Sequence, residues 1–251
     1  KSKIRDDRDL LLAQIDLAVT SVLLDAGAGP NWCFQDPLTG ESNSRSEGLA
    51  LASLYLFCEG TFSSDHSDPL KADAEALRKF SVEQLAGGFQ VSATNPLVGL
   101  EERAALLRRL GEQLIKFCRT DQEQNPRIAN ILDKISIGED RVLKVDLLFG
   151  ILLKLLQDVW PQRLTLGNKN LGDVWRHRLL ADSEITAELV PFHKLTQWLT
   201  YSLLEPLQEA GFQVQDIDLL TGLSEYRNGG LFLDTGVLEL REPAEVDALH
   251  P

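Results

Sequence analysis

The chain has 251 residues, 43% of them hydrophobic and 25% charged, which is ample for a packed core and excludes disordered or collagen-like classes. Its net charge of −13 excludes a general affinity for nucleic-acid backbones or anionic membranes, both of which need a cationic face, although a local basic pocket stays compatible with it. Three scattered cysteines, Cys33, Cys58 and Cys118, with no CxxC pair, are too few for a disulfide framework and point to a reducing, cytoplasmic setting.

Apolar residues recur at helical spacing over 6–24 (Leu10, Leu11, Ile15, Ala18, Val19, Val22, Leu23), and Gly27-Ala28-Gly29-Pro30 is expected to stop that helix. A second helix is predicted near 46–58, with Gly60 just past its end. Asp68-Pro69 reads as N-cap and first residue of a helix to about Lys79. Ser81 and Gln84 have the spacing of a capping box for a short helix ending at Gly87-Gly88. After Asn95-Pro96 an amphipathic helix is predicted to about Phe117, with Arg103, Arg108, Arg109 and Glu112 on its wet side. Further helices are expected at 126–136 and 144–158, the second closed by Pro161. In 163–175, two short apolar pieces flank Gly167-Asn168-Lys169-Asn170 and predict a small hairpin. A strong helix is expected over about 191–209, with Pro191 in its first turn and Gly211 after its end. Leu219, Leu220, Leu223, Leu231, Phe232, Leu233, Val237 and Leu238 make 219–240 read as buried.

Asp16 and Lys154 interrupt the longest apolar runs, so no stretch of about 18 uncharged apolar residues is available to span a bilayer, and the opening Lys-Ser-Lys-Ile-Arg is not a signal peptide. A chain that opens on Lys and holds no methionine reads as an internal fragment of a longer protein, folded as one mostly helical domain over 1–251. The expected class is mainly α with one or two short β-hairpins.

The usual catalytic signatures are missing. "GNKNLGDV" (167–174) has the glycine spacing of a phosphate loop but not its Lys-Ser/Thr end, and HExxH and GxSxG are absent. The histidines at 66, 177, 193 and 250 show no metal-ligand spacing, so no metal site and no cofactor are expected.

Three stretches carry candidate chemistry. In 219–240, Glu225, Tyr226, Arg227 and Asn228 stand side by side before Gly229-Gly230. A buried charge must be paired or face a cavity. The group is therefore either a turn held by a Glu225–Arg227 contact or a pocket carboxylate with an aromatic and a cation beside it. In 189–207, His193 and Lys194 fall near a helix N-terminus, where a bound anion is favoured and a cation is not, so Lys194 and the helix amides could share one anion. Gln197, Trp198 and Tyr201 continue a polar-aromatic stripe along that helix, which reads equally as an amphipathic helix with aromatic core residues. In 21–34, Asp25 stands at a helix end before a tight turn, with Trp32 and Phe34 after it, and is either a turn acceptor or a substrate contact.

The strings "SVLLDAGAGPNW", "RSEGLALASL", "GFQVSATNPLVGLEERAALLRRLGE", "WPQRLTLGNKNLGDVWRH", "LVPFHKLTQWLTYSLLEPL" and "LTGLSEYRNGGLFLDTGVL" resemble, in order, the uracil-catabolism family of fungi and bacteria that forms the fourth protein of the Urc pathway, long described as a domain of unknown function. The resemblance runs through most of the chain, and family members continue on both sides of it. More distantly, "NPLVGLEERAALLRRLGEQLIKF", "VPFHKLTQWL" and "LTGLSEYRNGGLFLDTGVL" resemble the queuosine salvage family, nucleoside 5′-monophosphate N-glycosidases with a helical fold akin to DNA glycosylases. Its aspartate before Tyr-Arg is matched by Glu225, one methylene longer, and its lysine after an aromatic by Lys194.

These resemblances imply cleavage of an N-glycosidic bond in a ribosylurea-type or nucleoside 5′-monophosphate intermediate of uracil breakdown. Glu225 would stabilise an oxocarbenium-like transition state. Lys194, with His193 or Arg227, would bind the 5′-phosphate, Tyr226, Trp32 and Trp198 would wall the sugar, and Asp25 would add a substrate contact. The partner is thus a small phosphorylated ribosyl compound. Two alternatives stand beside it: a non-catalytic binding or scaffold protein of the pathway, and the uracil phosphoribosyltransferase that some members are labelled as. The second lacks its acidic pair after a buried strand and its small-residue phosphate turn.

Overall fold

A computed structural model describes residues 4, 6–138, 140–160, 164–177, 180, 186–223 and 226–239, with only the backbone for 226–229. Helices take up about half of the described residues, and the strands are all short. The chain divides into two compact units, Lys1–Thr221 and Gly222–Pro251.

Within the first unit, α1 (Asp7–Leu24), α2 (Arg45–Cys58), α5 (Leu100–Cys118), α6 (Val145–Leu156) and α7 (Lys194–Glu209) are the long helices, and α3 (Ala74–Lys79) and α4 (Val82–Gly88) are short. Each long helix buries a stripe at three- and four-residue spacing: Ile15, Val19 and Leu23; Leu49, Ala52 and Leu56; Leu107, Leu110 and Leu114; Leu148, Leu152 and Leu155; Leu199, Leu203 and Leu207. These stripes merge into one core. α1 packs on α2, α5 and α7, while α5 packs on α3, α4 and α6. No described helix is long and apolar enough to cross a membrane.

Local signals act as expected. Asp6 caps α1 by accepting the Asp9 amide. Ser81 and Gln84 make both bonds of the capping box, at 3.1 and 2.9 Å. Gly60 (φ +78°) and Gly211 (φ +85°) end α2 and α7 in the left-handed turn that glycine tolerates. At both ends the next two amides fold back, Gly60 to Phe57 and Thr61 to Leu56, Gly211 to Gln208 and Phe212 to Leu207. The predicted hairpin is present as β4 (Thr165–Leu166) against β5 (Lys169–Asn170), turned at Gly167 and Asn168, both with positive φ. A second hairpin pairs β1 (Cys33–Gln35) with β2 (Ser42–Ser44).

Two strand pairs come from distant sequence and were not expected: β3 (Val142–Lys144) runs parallel to β8 (Gln213–Gln215), and β6 (Val174–Arg176) antiparallel to β7 (Leu189–Pro191).

Four expectations are corrected. The helix expected from Asp68-Pro69 begins only at Ala74 and is capped by Asp73, because the amides of Ala72, Asp73 and Ala74 are drawn off to the Asp16 carboxylate and the carbonyls of Phe62 and Pro126. The helix expected over 126–136 is a 3-10 segment, Ile128–Lys134. Pro191 is not in the first turn of α7. It ends β7 opposite Val174. The apolar residues of 219–240 are not buried: Leu219 is 63% and Val237 67% exposed, and Leu231, Phe232, Leu233 and Leu238 are exposed too. Leu231, Phe232 and Leu233 belong to a helix, α8 (Tyr226–Asp234), of the second unit, and Leu219 ends a 3-10 segment of the first.

At the centre of the first unit Asp16 is wholly buried. Its carboxylate accepts the amides of Ala72 (2.7 Å) and Ala129 (2.8 Å) and the Arg127 guanidinium (2.8 Å). Burial pushes its pKa up to about 6, against the pull of Arg127 and the two amides.

Candidate functional site

The entry to α7 is built by the β6–β7 pair. After β7 the chain turns at Phe192 and His193, and His193 takes left-handed backbone angles (φ 44°, ψ 35°) as the N-cap. Asp173, just before β6, holds this turn. Its carbonyl accepts the amides of Phe192 (3.0 Å) and His193 (3.3 Å), and its carboxylate accepts the Lys194 amide (3.2 Å) and the Trp175 indole N–H (2.9 Å). Gly172 before it has φ +69°, and its α-carbon faces Trp160 and the His193 ring, which a β-carbon there would meet at 3.6–3.7 Å.

His193 and Lys194 are both half-buried. Burial lowers the pKa of His193, while the Asp173 carboxylate pulls it the other way, and the net direction is down. The ring is therefore mostly neutral at neutral pH, with both a donor and an acceptor to offer. The first-turn amide of Lys194, expected to face a bound anion, already donates to Asp173.

Further along α7, Gln197 donates to the Phe192 carbonyl (3.2 Å) and accepts the Thr221 hydroxyl (2.8 Å). The Tyr201 hydroxyl donates to the Thr221 carbonyl (3.1 Å). The polar stripe read from the sequence thus clamps Thr221, the last residue of the first unit. Trp198 is half-buried and packs on the core beside Leu195. Glu225 lies outside the described residues, and Tyr226 and Arg227 are described only as the first backbone positions of α8.

The α1 end forms another neighbourhood. Asp25 is the C-cap residue of α1, and its carboxylate accepts the Ser46 hydroxyl at 3.0 Å. Arg103, expected on the wet side of α5, is only 2% exposed. Its guanidinium donates to the carbonyls of Leu24, Ala26 (3.3 Å), Gly27 (2.8 Å) and Val98 (3.2 Å), so a cation closes the negative end of α1. Burial lowers the Arg103 pKa and the nearby Asp25 carboxylate opposes that. Trp32 is 1% exposed, its ring lies 5.9 Å from that of Phe89, and its N–H donates to the Phe89 carbonyl. It is a core residue.

His193, Lys194, Gln197, Trp198 and Tyr201 therefore share one helix end. Asp25 belongs with Ser46 and Arg103. No cluster of three or more His, Cys, Asp or Glu suited to a metal occurs among the described residues. Asp173 is the functional candidate that motif reading passed over. Its signal was present: an acid directly after Gly172, in a string dismissed as a broken phosphate loop.

A family model described as "Protein of unknown function (DUF1688)" matches residues 1–250. The chain is 44% identical over 239 residues to Protein urg3 of Schizosaccharomyces pombe, covering 94% of this chain and 56% of that protein. It is 38% identical over 251 residues to Uracil catabolism protein 4 of Lachancea kluyveri, covering 95% of this chain and 57% of that protein. The chain thus spans little more than half the length of these relatives, and it belongs to the family.

Proposed function

We propose that this family member acts in uracil catabolism, as the name of one relative says of that protein, by hydrolysing the N-glycosidic bond of a ribosylurea-type or nucleoside 5′-monophosphate intermediate. The observation that carries this reading is the α7 entry turn. It holds a largely neutral imidazole and a lysine at one helix end, while Gln197 and Tyr201 of the same helix fix Thr221, four residues before Glu225 in sequence.

In this reading Lys194 carries the attraction for the 5′-phosphate, with His193 donating a hydrogen bond and Arg227 adding charge. Trp198 and Tyr226 would wall the sugar, as the resemblance implies. The bond from C1′ to nitrogen lengthens and the sugar gains positive charge, which the Glu225 carboxylate stabilises. Water then adds to C1′ as Glu225 takes one of its protons, solvent protonates the leaving nitrogen, and Glu225 returns its proton to solvent. With ribosylurea 5′-phosphate the products are ribose 5-phosphate and urea.

The test is incubation of the full-length protein with ribosylurea 5′-phosphate and an assay for urea. Lys194→Ala should weaken phosphorylated ligands about ten- to a hundred-fold, the loss of one charged hydrogen bond, and spare the unphosphorylated analogue. Tight binding without urea release would favour a binding protein of the pathway. Equal weakening of both ligands would remove Lys194 from phosphate recognition.

A further inference from the structure

Strand β1 has β2 on one side, and no described strand lies on the other. In an antiparallel pair, alternate residues turn both backbone groups toward the partner strand and the rest turn both away. The outward residues of β1 are Cys33 and Gln35, on either side of Phe34, and two side-chain amides take the places of a third strand. Asn95 accepts the Cys33 amide through Oδ1 (2.9 Å) and donates to the Cys33 carbonyl through Nδ2 (2.8 Å). Gln90 accepts the Gln35 amide through Oε1 (2.9 Å) and donates to the Gln35 carbonyl through Nε2 (2.9 Å). Each side chain thus offers one outward residue the acceptor and the donor that a neighbouring strand would bring.

The two amides are held at this spacing. Asn95 Nδ2 also donates to the Gln90 carbonyl (2.9 Å), and the loop that carries both residues is fastened at its ends by the Trp32 indole on the Phe89 carbonyl (2.9 Å) and the Val98 amide on the Ala28 carbonyl (3.2 Å). The sequence of β1, Cys-Phe-Gln, has neither a charge nor a proline, the common guards of an open strand edge. We propose that Gln90 and Asn95 are that guard: they close the outer edge of β1 against pairing with a second copy of this chain. A second copy is the partner this edge fits. Two β1 edges set antiparallel about a two-fold axis through Phe34 place Cys33 of each opposite Gln35 of the other, so every outward group finds a bond.

The test is sedimentation velocity of the full-length protein over a wide range of concentration, in reducing buffer so that Cys33 forms no disulfide. The double variant Gln90→Ala, Asn95→Ala should gain mass with concentration beyond wild type. Adding Gln35→Pro to that pair should restore wild-type behaviour, because proline removes an outward N–H without touching the β1–β2 ladder. A loss of stability alone is not repaired by that proline. Hydrogen exchange reads the edge directly. Without their neutral bonds, the Cys33 and Gln35 amides of the dilute double variant should exchange about two- to tenfold faster, and association should slow them again.

If the double variant does not fold, Gln90→Ala alone, which removes only solvent-exposed bonds, carries the same measurements at Gln35. A variant that stays as dispersed as wild type, or whose added mass survives Gln35→Pro, refutes the proposal.

Discussion

Replacing Arg103 by methionine tests how the α1 end is held. Methionine keeps much of the apolar stem volume and removes every donor. Of the four bonds, those to Leu24 and Gly27 are the shorter pair, and those to Ala26 and Val98, at 3.3 and 3.2 Å, are longer. A hydrogen bond from a charged group contributes about 1.5–3 kcal/mol, so losing two of them costs about 3–6 kcal/mol. That is a large share of a total stability of about 5–15 kcal/mol. With a urea dependence of about 1–3 kcal/mol per molar, the unfolding midpoint should fall by about 1 M or more. Lysine should recover only part of the loss, because its point charge cannot serve carbonyls spread around a planar fork. Urea unfolding followed by circular dichroism gives the comparison. A methionine variant within about 1 kcal/mol of wild type would show that these carbonyls are satisfied without the guanidinium, and that Arg103 is a passenger in the core.

Glu225→Gln should lower single-turnover urea release by at least about a hundredfold while leaving ligand affinity in place, with Glu225→Asp retaining more; full activity of the glutamine variant removes Glu225 from the mechanism. Asp16 has a folded-state pKa of about 6 against an ordinary 3.8, so its contribution to stability is fully present below about pH 4 and is lost as pH rises through about 6. Thermal unfolding across pH 4–7 should show that slope in wild type and lack it in Asp16→Asn. Gly88→Ala should lower the melting temperature, since the added β-carbon falls 2.2 Å from Leu56 Cδ2, and such overpacking costs about 1–3 kcal/mol, more than the helix propensity gained. A raised melting temperature would show that α2 and α4 spread freely.

What the sequence made legible was local. The Ser81–Gln84 box, the turns at Gly60 and Gly211 and the Gly167-Asn168 hairpin each depend on residues a few positions apart. What it hid depends on partners far away. Asp68-Pro69 has every local mark of a helix start and loses to bonds from Ala72 and Ala74 into Asp16 and Pro126. Arg103 shares its helical spacing with wet residues of α5, and only the carbonyls at 24–27 reveal its place. The packing of Trp32 against Phe89 joins residues 57 positions apart and has no local mark. The helix that starts at Lys194 was legible to within a few residues. The bonds of Asp173 to that helix start were not, because they need the β6–β7 pairing, which no short-range pattern announces.

The bonds of Asp16 also set a timetable for the growing polypeptide. Its carboxylate sits on the first helix, but one of its amide donors, Ala129, is 113 residues further on. At about 5–20 residues per second, a ribosome needs roughly 6–23 s to make that stretch. Throughout that interval Asp16 has the Ala72 amide at most, so burying the inner face of α1 leaves a carboxyl short of its Arg127 and Ala129 partners. The N-terminal helices are then committed late, and a nascent chain stalled before residue 129 should carry α1 undocked and open to chaperones or proteases.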